Sequence, residues 1–289
     1  MTVAVITDSA AALPEEVAAA HGITVVPLGL TIGGVSVREA AVDVEELIAR
    51  FDEGVTTSGP PPGDFAKAIE EARGPEGVVV VTLASDLSTT WRSATLGAEE
   101  AGGVGGDGAG RDGAAGDAGP IRVIDSQTAA GAEALIALAA ARKAASGGSI
   151  DEVVAAAERA RENVRLIGAL STLDYIVKGG HIPAAAGWAA RRFNVWPVIE
   201  LGSGRVRPHR PAFSRMAALD RILDHWRRSR RGDRLHVIAM HSVGAGDAEL
   251  LLSRVEAEVT PEWSLVSGFG TSLVAHTGPS LVGLAWLWE

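Results

Sequence analysis

Hydroxyl-bearing side chains gather at two points of this sequence, where they could together hold an anionic group. Thr56-Thr57-Ser58 precede three consecutive prolines, and Ser88-Thr89-Thr90 follow a strongly apolar run. Hydroxyls donate hydrogen bonds to carboxylate or phosphate oxygens without carrying a charge themselves. The pattern therefore indicates a neutral cradle for an anion. Helix capping, a common task of Ser and Thr, is the alternative for each residue taken alone.

One histidine belongs to the same set of candidates. His276 follows an apolar stretch and precedes a tight turn, Thr277-Gly278-Pro279. We interpret this stretch as a strand, and the imidazole either as a further donor to the anion or as a buried histidine satisfied by a neighbour. Ser88 and His276 together leave open a hydrolase or transferase, although no nucleophile-elbow motif activates the serine.

The elements that must position these residues alternate between strand and helix up to about residue 163. Apolar runs such as "GVVVVTLA" are typical of strands buried on both faces of a parallel sheet. The carboxyl ends of such strands share one edge, where ligands bind. Asp8-Ser9, Ser85 and Asp125-Ser126 also follow predicted strands, so the sequence predicts that the hydroxyl clusters meet at this edge.

The second half of the chain has a different pattern, in which strands are less regularly separated by helices. We predict two domains, a parallel-sheet α/β domain over 1–163 and a mixed-sheet α/β domain over 164–289. Between 102 and 119 lies a glycine-rich segment, which its composition predicts to be mobile. The range 263–288 has no charged residue, and its glycines and polar residues favour short buried strands over a membrane span.

Composition excludes several classes of function. The formal net charge is −10, which argues against nucleic acid or an anionic membrane as a partner. Cysteine is absent, and neither a histidine pair with metal-ligand spacing nor a P-loop occurs, so we expect no metal and no cofactor. The chain begins without a basic, apolar leader, and we expect a cytoplasmic protein without stable membrane insertion.

Seven stretches occur in the order of the sequence blocks of a known family. They are "VITDSAAALP", "TTSGPPPGDF", "LASDLSTTWRSA", "VIDSQTAAGAE", "LDYIVKGGHI", "WPVIELGSGRV" and "HTGPSLVG". In these stretches, which span nearly the whole chain, the sequence resembles the DegV family, the fatty-acid-binding subunits of the bacterial fatty-acid kinase system.

The resemblance implies a DegV-like two-domain fold, with a parallel-sheet α/β/α domain followed by a mixed-sheet α/β domain. It implies a carrier without catalytic residues of its own, which holds a long-chain fatty acid in a buried tunnel. A separate ATP-dependent kinase subunit would phosphorylate the presented carboxylate to an acyl phosphate. By similarity, the ligand-binding residues are Thr57, Ser58, Ser88, Thr89 and His276. A sensor of small anions without a tail pocket is a third possibility.

The sequence departs from the family pattern at four positions. Thr89 and Ser280 stand where glycines are usual, and Trp91 stands in place of a tyrosine. His181 takes the place of an arginine after Lys178-Gly179-Gly180, which would weaken a cation near the head group or make it titratable.

Overall fold

The computed structural model describes residues 2–102, 119–178 and 195–289. Two expectations fall outside these ranges. One is the mobility of the glycine-rich segment between 103 and 118, and the other is the role of His181.

The first sheet has four parallel strands in the order β2-β1-β6-β7. These strands are β1 (Ala4–Asp8), β2 (Ile23–Val26), β6 (Val78–Thr82) and β7 (Ile121–Asp125). Every residue of β6 is buried, because helices cover both faces of the sheet. The predicted parallel sheet is confirmed.

Six helices accompany this sheet: α1 (Glu15–Ala20), α2 (Val44–Ala49), α3 (Pro62–Ala72), α4 (Thr90–Glu100), α5 (Ala130–Ala145) and α6 (Ile150–Asn163). Helices α3 and α4 pack on one face through Phe65, Ile69 and Ala94. Helices α5 and α6 lie on the other face. A capping box formed by Ser149 and Glu152 begins α6.

The second sheet has six strands in the order β10-β9-β8-β13-β11-β12. They are β8 (Arg165–Ala169), β9 (Val198–Gly202), β10 (Arg205–Pro208), β11 (Leu235–His241), β12 (Trp263–Gly268) and β13 (Val282–Trp288). All neighbours are antiparallel except β11 and β12. This mixed sheet was predicted and is confirmed.

Helix α5 lies between the two sheets and is buried along nearly its whole length. Small residues allow α5 to approach β11 closely. A Cβ added at Gly131 of α5 would lie only 2.8 Å from the Sδ of Met240 on β11. The outer face of the six-stranded sheet is covered by α8 (Arg215–Arg228) and α9 (Gly246–Glu256). The layers therefore alternate helix, sheet, helix, sheet, helix. The division of the chain at 163 and 164 stays a prediction.

A third, antiparallel sheet departs from the sequence prediction. It has the order β4-β3-β5, formed by β3 (Gly29–Ile32), β4 (Val35–Arg38) and β5 (Val55–Ser58). The stretch "ITVVPLGLTI" over 23–32 has the apolar pattern of one strand, but Pro27 divides it into β2 and β3. Proline has no N–H to give to a strand ladder, and the chain changes sheets at this point.

The prediction of a strand ending at His276 was also wrong. Residues 270–277 form helix α10 (Gly270–Thr277), and α7 (Asp174–Lys178) packs against it. A short apolar run does not distinguish a buried strand from a buried helix. The range 263–288 is therefore strand, helix and strand. Among the helices that the structure describes, none is long and apolar enough to cross a membrane.

Candidate functional site

A cavity of about 600 Å³ lies between the inner face of the six-stranded sheet and the first half of the chain. This volume lies within the usual range for small-molecule sites. Most of its wall is apolar. The large apolar side chains that line it are Leu28, Leu83, Leu87, Leu166, Ile176, Ile199, Leu201, Val206, Phe269, Leu273 and Leu281.

All five residues that the sequence singled out line this cavity: Thr57, Ser58, Ser88, Thr89 and His276. Thr57 and His276 are in direct contact, because the threonine Oγ1 lies 2.6 Å from the imidazole Nε2. Both side chains are half-buried. The structure thus brings the five together, and their role as ligands stays a prediction.

The Ser88 hydroxyl is held at the start of helix α4. Its Oγ lies 2.8 Å from Thr90 Oγ1 and accepts a hydrogen bond from Thr90 N at 3.3 Å. The chain after β5 passes close by, since a Cβ added at Gly59 would lie 3.0 Å from Thr90 Oγ1 and 3.1 Å from Thr89 Oγ1. The first turn of α4 adds a partial positive charge, so this end of the cavity suits an anion.

This geometry does not support the alternative of a serine enzyme. A catalytic base must reach the proton of the nucleophile by a hydrogen bond. Here the hydroxyl that contacts the His276 ring belongs to Thr57, while Ser88 is bonded to Thr90.

The other polar residues at strand ends have structural partners. Asp8 accepts hydrogen bonds from Leu83 N at 2.8 Å and Ala10 N at 2.9 Å, and Asp125 accepts one from Ser85 N at 3.1 Å. Among these residues Ser85 lines the cavity, whereas Asp8 and Asp125 do not. Asp8 and Asp125 end strands β1 and β7 at the predicted edge and bond to the residues that follow β6. The prediction that all the polar clusters share this edge was wrong for Thr57. Thr57 belongs to the three-stranded sheet instead.

Sequence reasoning missed Glu39, which anchors the helix that carries His276. Its carboxylate accepts hydrogen bonds from Ser9 Oγ at 2.5 Å and from Ser272 N at 3.1 Å. Thr271 Oγ1 also lies 3.4 Å from Glu39 Oε1. The bond to the first turn of α10 links residues 233 positions apart, so no local pattern signals it.

A pair of carboxyl groups, Asp8 and Glu133, is completely buried near the cavity. Burial raises the pKa of Asp8 to about 6 and raises the pKa of Glu133 well above its usual value. Thr7 Oγ1 donates to Glu133 Oε1 at 3.1 Å, and the nearby Asp8 carboxyl adds to the effect of burial in raising the pKa of Glu133. The signal in the sequence that could have revealed the pair is Glu133, an acidic residue within the otherwise apolar start of helix α5.

Within the described ranges, no group of three or more His, Asp or Glu side chains is arranged to hold a metal ion.

Comparisons with known proteins agree with this architecture. The family model described as "Uncharacterised protein, DegV family COG1307" matches residues 2–289. The DegV domain-containing protein SCO2569 of Streptomyces coelicolor is 34% identical over 289 residues, which cover 98% of this chain and 97% of that protein.

Solved structures show the same fold. A DegV family protein from Thermus thermophilus, described as fatty acid binding, superposes with a TM-score of 0.86 at 28% identity over 100% of both chains. TM841 from Thermotoga maritima, described as revealing a fatty acid binding function, superposes with a TM-score of 0.81 at 25% identity over 100% of both chains. The chain therefore belongs to the DegV family, as its sequence blocks predicted.

Proposed function

We propose that this protein is a carrier that binds a long-chain fatty acid and presents its carboxylate to a separate ATP-dependent kinase. The observation that carries the proposal is the composition of the cavity wall, which is apolar over most of its area and has hydroxyls and an imidazole at one end. The fatty acid binding described for the relatives from Thermus thermophilus and Thermotoga maritima supports it.

The tail would supply most of the affinity. Burial stabilises each CH₂ by about 0.8 kcal/mol, so fifteen tail carbons contribute about 12 kcal/mol before ordering costs. The carboxylate head group needs only hydrogen-bond partners, because burying a carboxylate without them is very costly. Thr57, Ser88 and His276 supply these partners.

A neutral cradle also suits phosphorylation of the bound acid. A bidentate arginine would stabilise the carboxylate strongly and make it a poorer nucleophile toward ATP. Hydroxyl donors orient the carboxylate with weaker stabilisation. Because Ser58 and Thr89 on the cavity wall are exposed to solvent, a partner can approach the head group at this end.

The test is binding by delipidated protein, measured by calorimetry with palmitate, hexadecanol and acetate. We expect tight binding of palmitate, weaker binding of hexadecanol because it lacks the carboxylate, and no measurable binding of acetate. Tight acetate binding would identify a small-anion sensor instead. Hydrolysis of an acyl ester that is lost in Ser88→Ala would identify an enzyme.

The kinase step is tested separately. Palmitate-loaded protein is incubated with a fatty-acid kinase subunit and ATP, and acyl phosphate is trapped with hydroxylamine. We expect acyl hydroxamate only when both proteins and ATP are present. Hydroxamate formed without the kinase would contradict the carrier role.

A further inference from the structure

Two glycines stand directly opposite each other in the floor of the cavity. Gly168 of β8 and Gly283 of β13 are partners in adjacent antiparallel strands, and both line the cavity. Glycine weakens a strand interior, and its presence there often marks a place where another group approaches the backbone. At this pair the cavity floor is formed by backbone atoms and not by side chains.

The space above the pair is taken by the ends of two cavity-lining side chains. A Cβ added at Gly168 would lie 2.9 Å from Leu281 Cδ1, which is too close unless the leucine moves, and 3.2 Å from the carbonyl oxygen of Val282. A Cβ added at Gly283 would lie 3.4 Å from Phe269 Cζ and 3.1 Å from the carbonyl oxygen of Ile167. The absence of side chains at the two glycines therefore allows Leu281 and Phe269 to pack directly against the sheet.

We propose that the Gly168–Gly283 pair keeps the far part of the cavity open for the tail of a long-chain acid. The part of the acyl chain beyond its middle carbon would occupy this far part of the cavity. The inference rests on the proposed function and adds a determinant of chain length to it. A methyl group at Gly168 would push the Leu281 side chain away from the sheet. The displaced side chain would move into the cavity, which is the open space on that side.

The distance from the cradle indicates which acids would be affected. Phe269 precedes α10 by one residue and stands seven residues before His276, so about 10 Å of helix separates the two positions. An extended chain advances about 1.2 Å per bond, so roughly eight bonds span this distance. An eight-carbon acid would end near the glycine pair, whereas a sixteen-carbon acid must pass it.

The test compares octanoate and palmitate binding to delipidated Gly168→Ala. We expect palmitate affinity to fall by about tenfold, which is in the range for overpacking, while octanoate affinity stays within about twofold of wild type. Gly202→Ala is the matched control. It is also a glycine of a strand, and nothing in the described part of the chain lies within 4 Å of an added Cβ there.

A rescue separates this role from general damage to the fold. In Gly168→Ala/Leu281→Ala the displaced side chain is gone, so palmitate affinity should return toward that of Leu281→Ala alone. Gly283→Ala is an independent variant if Gly168→Ala does not fold, and it should also reduce palmitate binding selectively.

Equal loss of both acids in a folded variant, unchanged palmitate binding, or failure of the rescue would overturn the inference. Failure of the wild-type protein to bind palmitate is distinguishable, because it refutes the proposed function before any variant is made.

Discussion

Two groups of polar residues lie near the cavity, and they differ in the partners that satisfy their hydrogen-bonding groups. Thr57, Ser88 and His276 are half-buried and line the cavity with two hydroxyls and an imidazole. Asp8 and Glu133 are completely buried, and their donors are internal: backbone amides bond to Asp8 and the Thr7 hydroxyl bonds to Glu133. The first group can receive the charge of a ligand, whereas the second group holds the fold.

The difference follows from the cost of burying charge. A carboxylate inside a protein needs donors of its own or a proton. The buried pair has internal donors and raised pKa values, and neither of its side chains lines the cavity. Thr57, Ser88 and His276 have donors and no carboxylate of their own, and the Asp86 carboxylate that also lines the cavity lies 4.0 Å from Arg205 Nε. The cradle is therefore complementary to an acid that brings its own negative charge.

The largest expected effect comes from breaking the cradle. Thr57→Val/Ser88→Ala removes two hydrogen bonds to a charged ligand and should weaken palmitate binding by about 4 kcal/mol, about a thousandfold. The free energy of unfolding of the ligand-free protein should fall by about 3 kcal/mol, because the bond from Thr57 to His276 and the two bonds between Ser88 and Thr90 are lost. Calorimetry and urea unfolding measure the two effects.

Thr56→Val is the matched control, since Thr56 is an exposed neighbour on the same strand that does not line the cavity. If the double variant lost stability and kept its affinity per folded molecule, the two residues would have a structural role only.

The next effect concerns the buried pair and pH. The pKa of Asp8 rises from 3.8 to about 6 on folding, so the folded state binds this proton more tightly than the unfolded state does. Its contribution to stability is therefore complete below about pH 4 and is lost as pH rises through about 6. The full change is about 3 kcal/mol in the free energy of unfolding.

Urea unfolding from pH 4 to 8 checks this, with Asp8→Asn as the comparison. The difference between wild type and Asp8→Asn should change with pH over this range, because asparagine does not titrate. The variant should bind palmitate with nearly wild-type affinity at each pH where it is folded. A difference that is constant with pH would show that Asp8 does not take up the proton.

The smallest expected effect comes from His276. His276→Leu should weaken palmitate binding by about 2 kcal/mol, since it removes a donor to the carboxylate, while His276→Gln should lose about half as much because its amide still donates. Calorimetry measures both affinities and thermal unfolding measures the apo stability. If both variants bound like wild type and differed only in melting temperature, His276 would be a structural residue.

Much of the fold was predictable because its signals are local. The apolar run of β6 identified a strand buried on both faces, and Pro62 occupies the first position of α3, where proline is favoured. The errors also have local causes. Pro27 interrupts an apolar stretch that otherwise has the pattern of one strand, and residues 270–277 are short and apolar enough to suit either a strand or a helix.

Sequence by itself determined most of the order of the elements and the presence of a parallel and a mixed sheet, because hydrophobic periodicity and turn chemistry act between neighbours. Only the tertiary structure decided which of the polar groups face the cavity. Thr57 and His276 are 219 residues apart and lie on different elements, and Asp8 meets Glu133 across the core. Burial and partners depend on how distant elements pack, and they separate a binding group from a structural one.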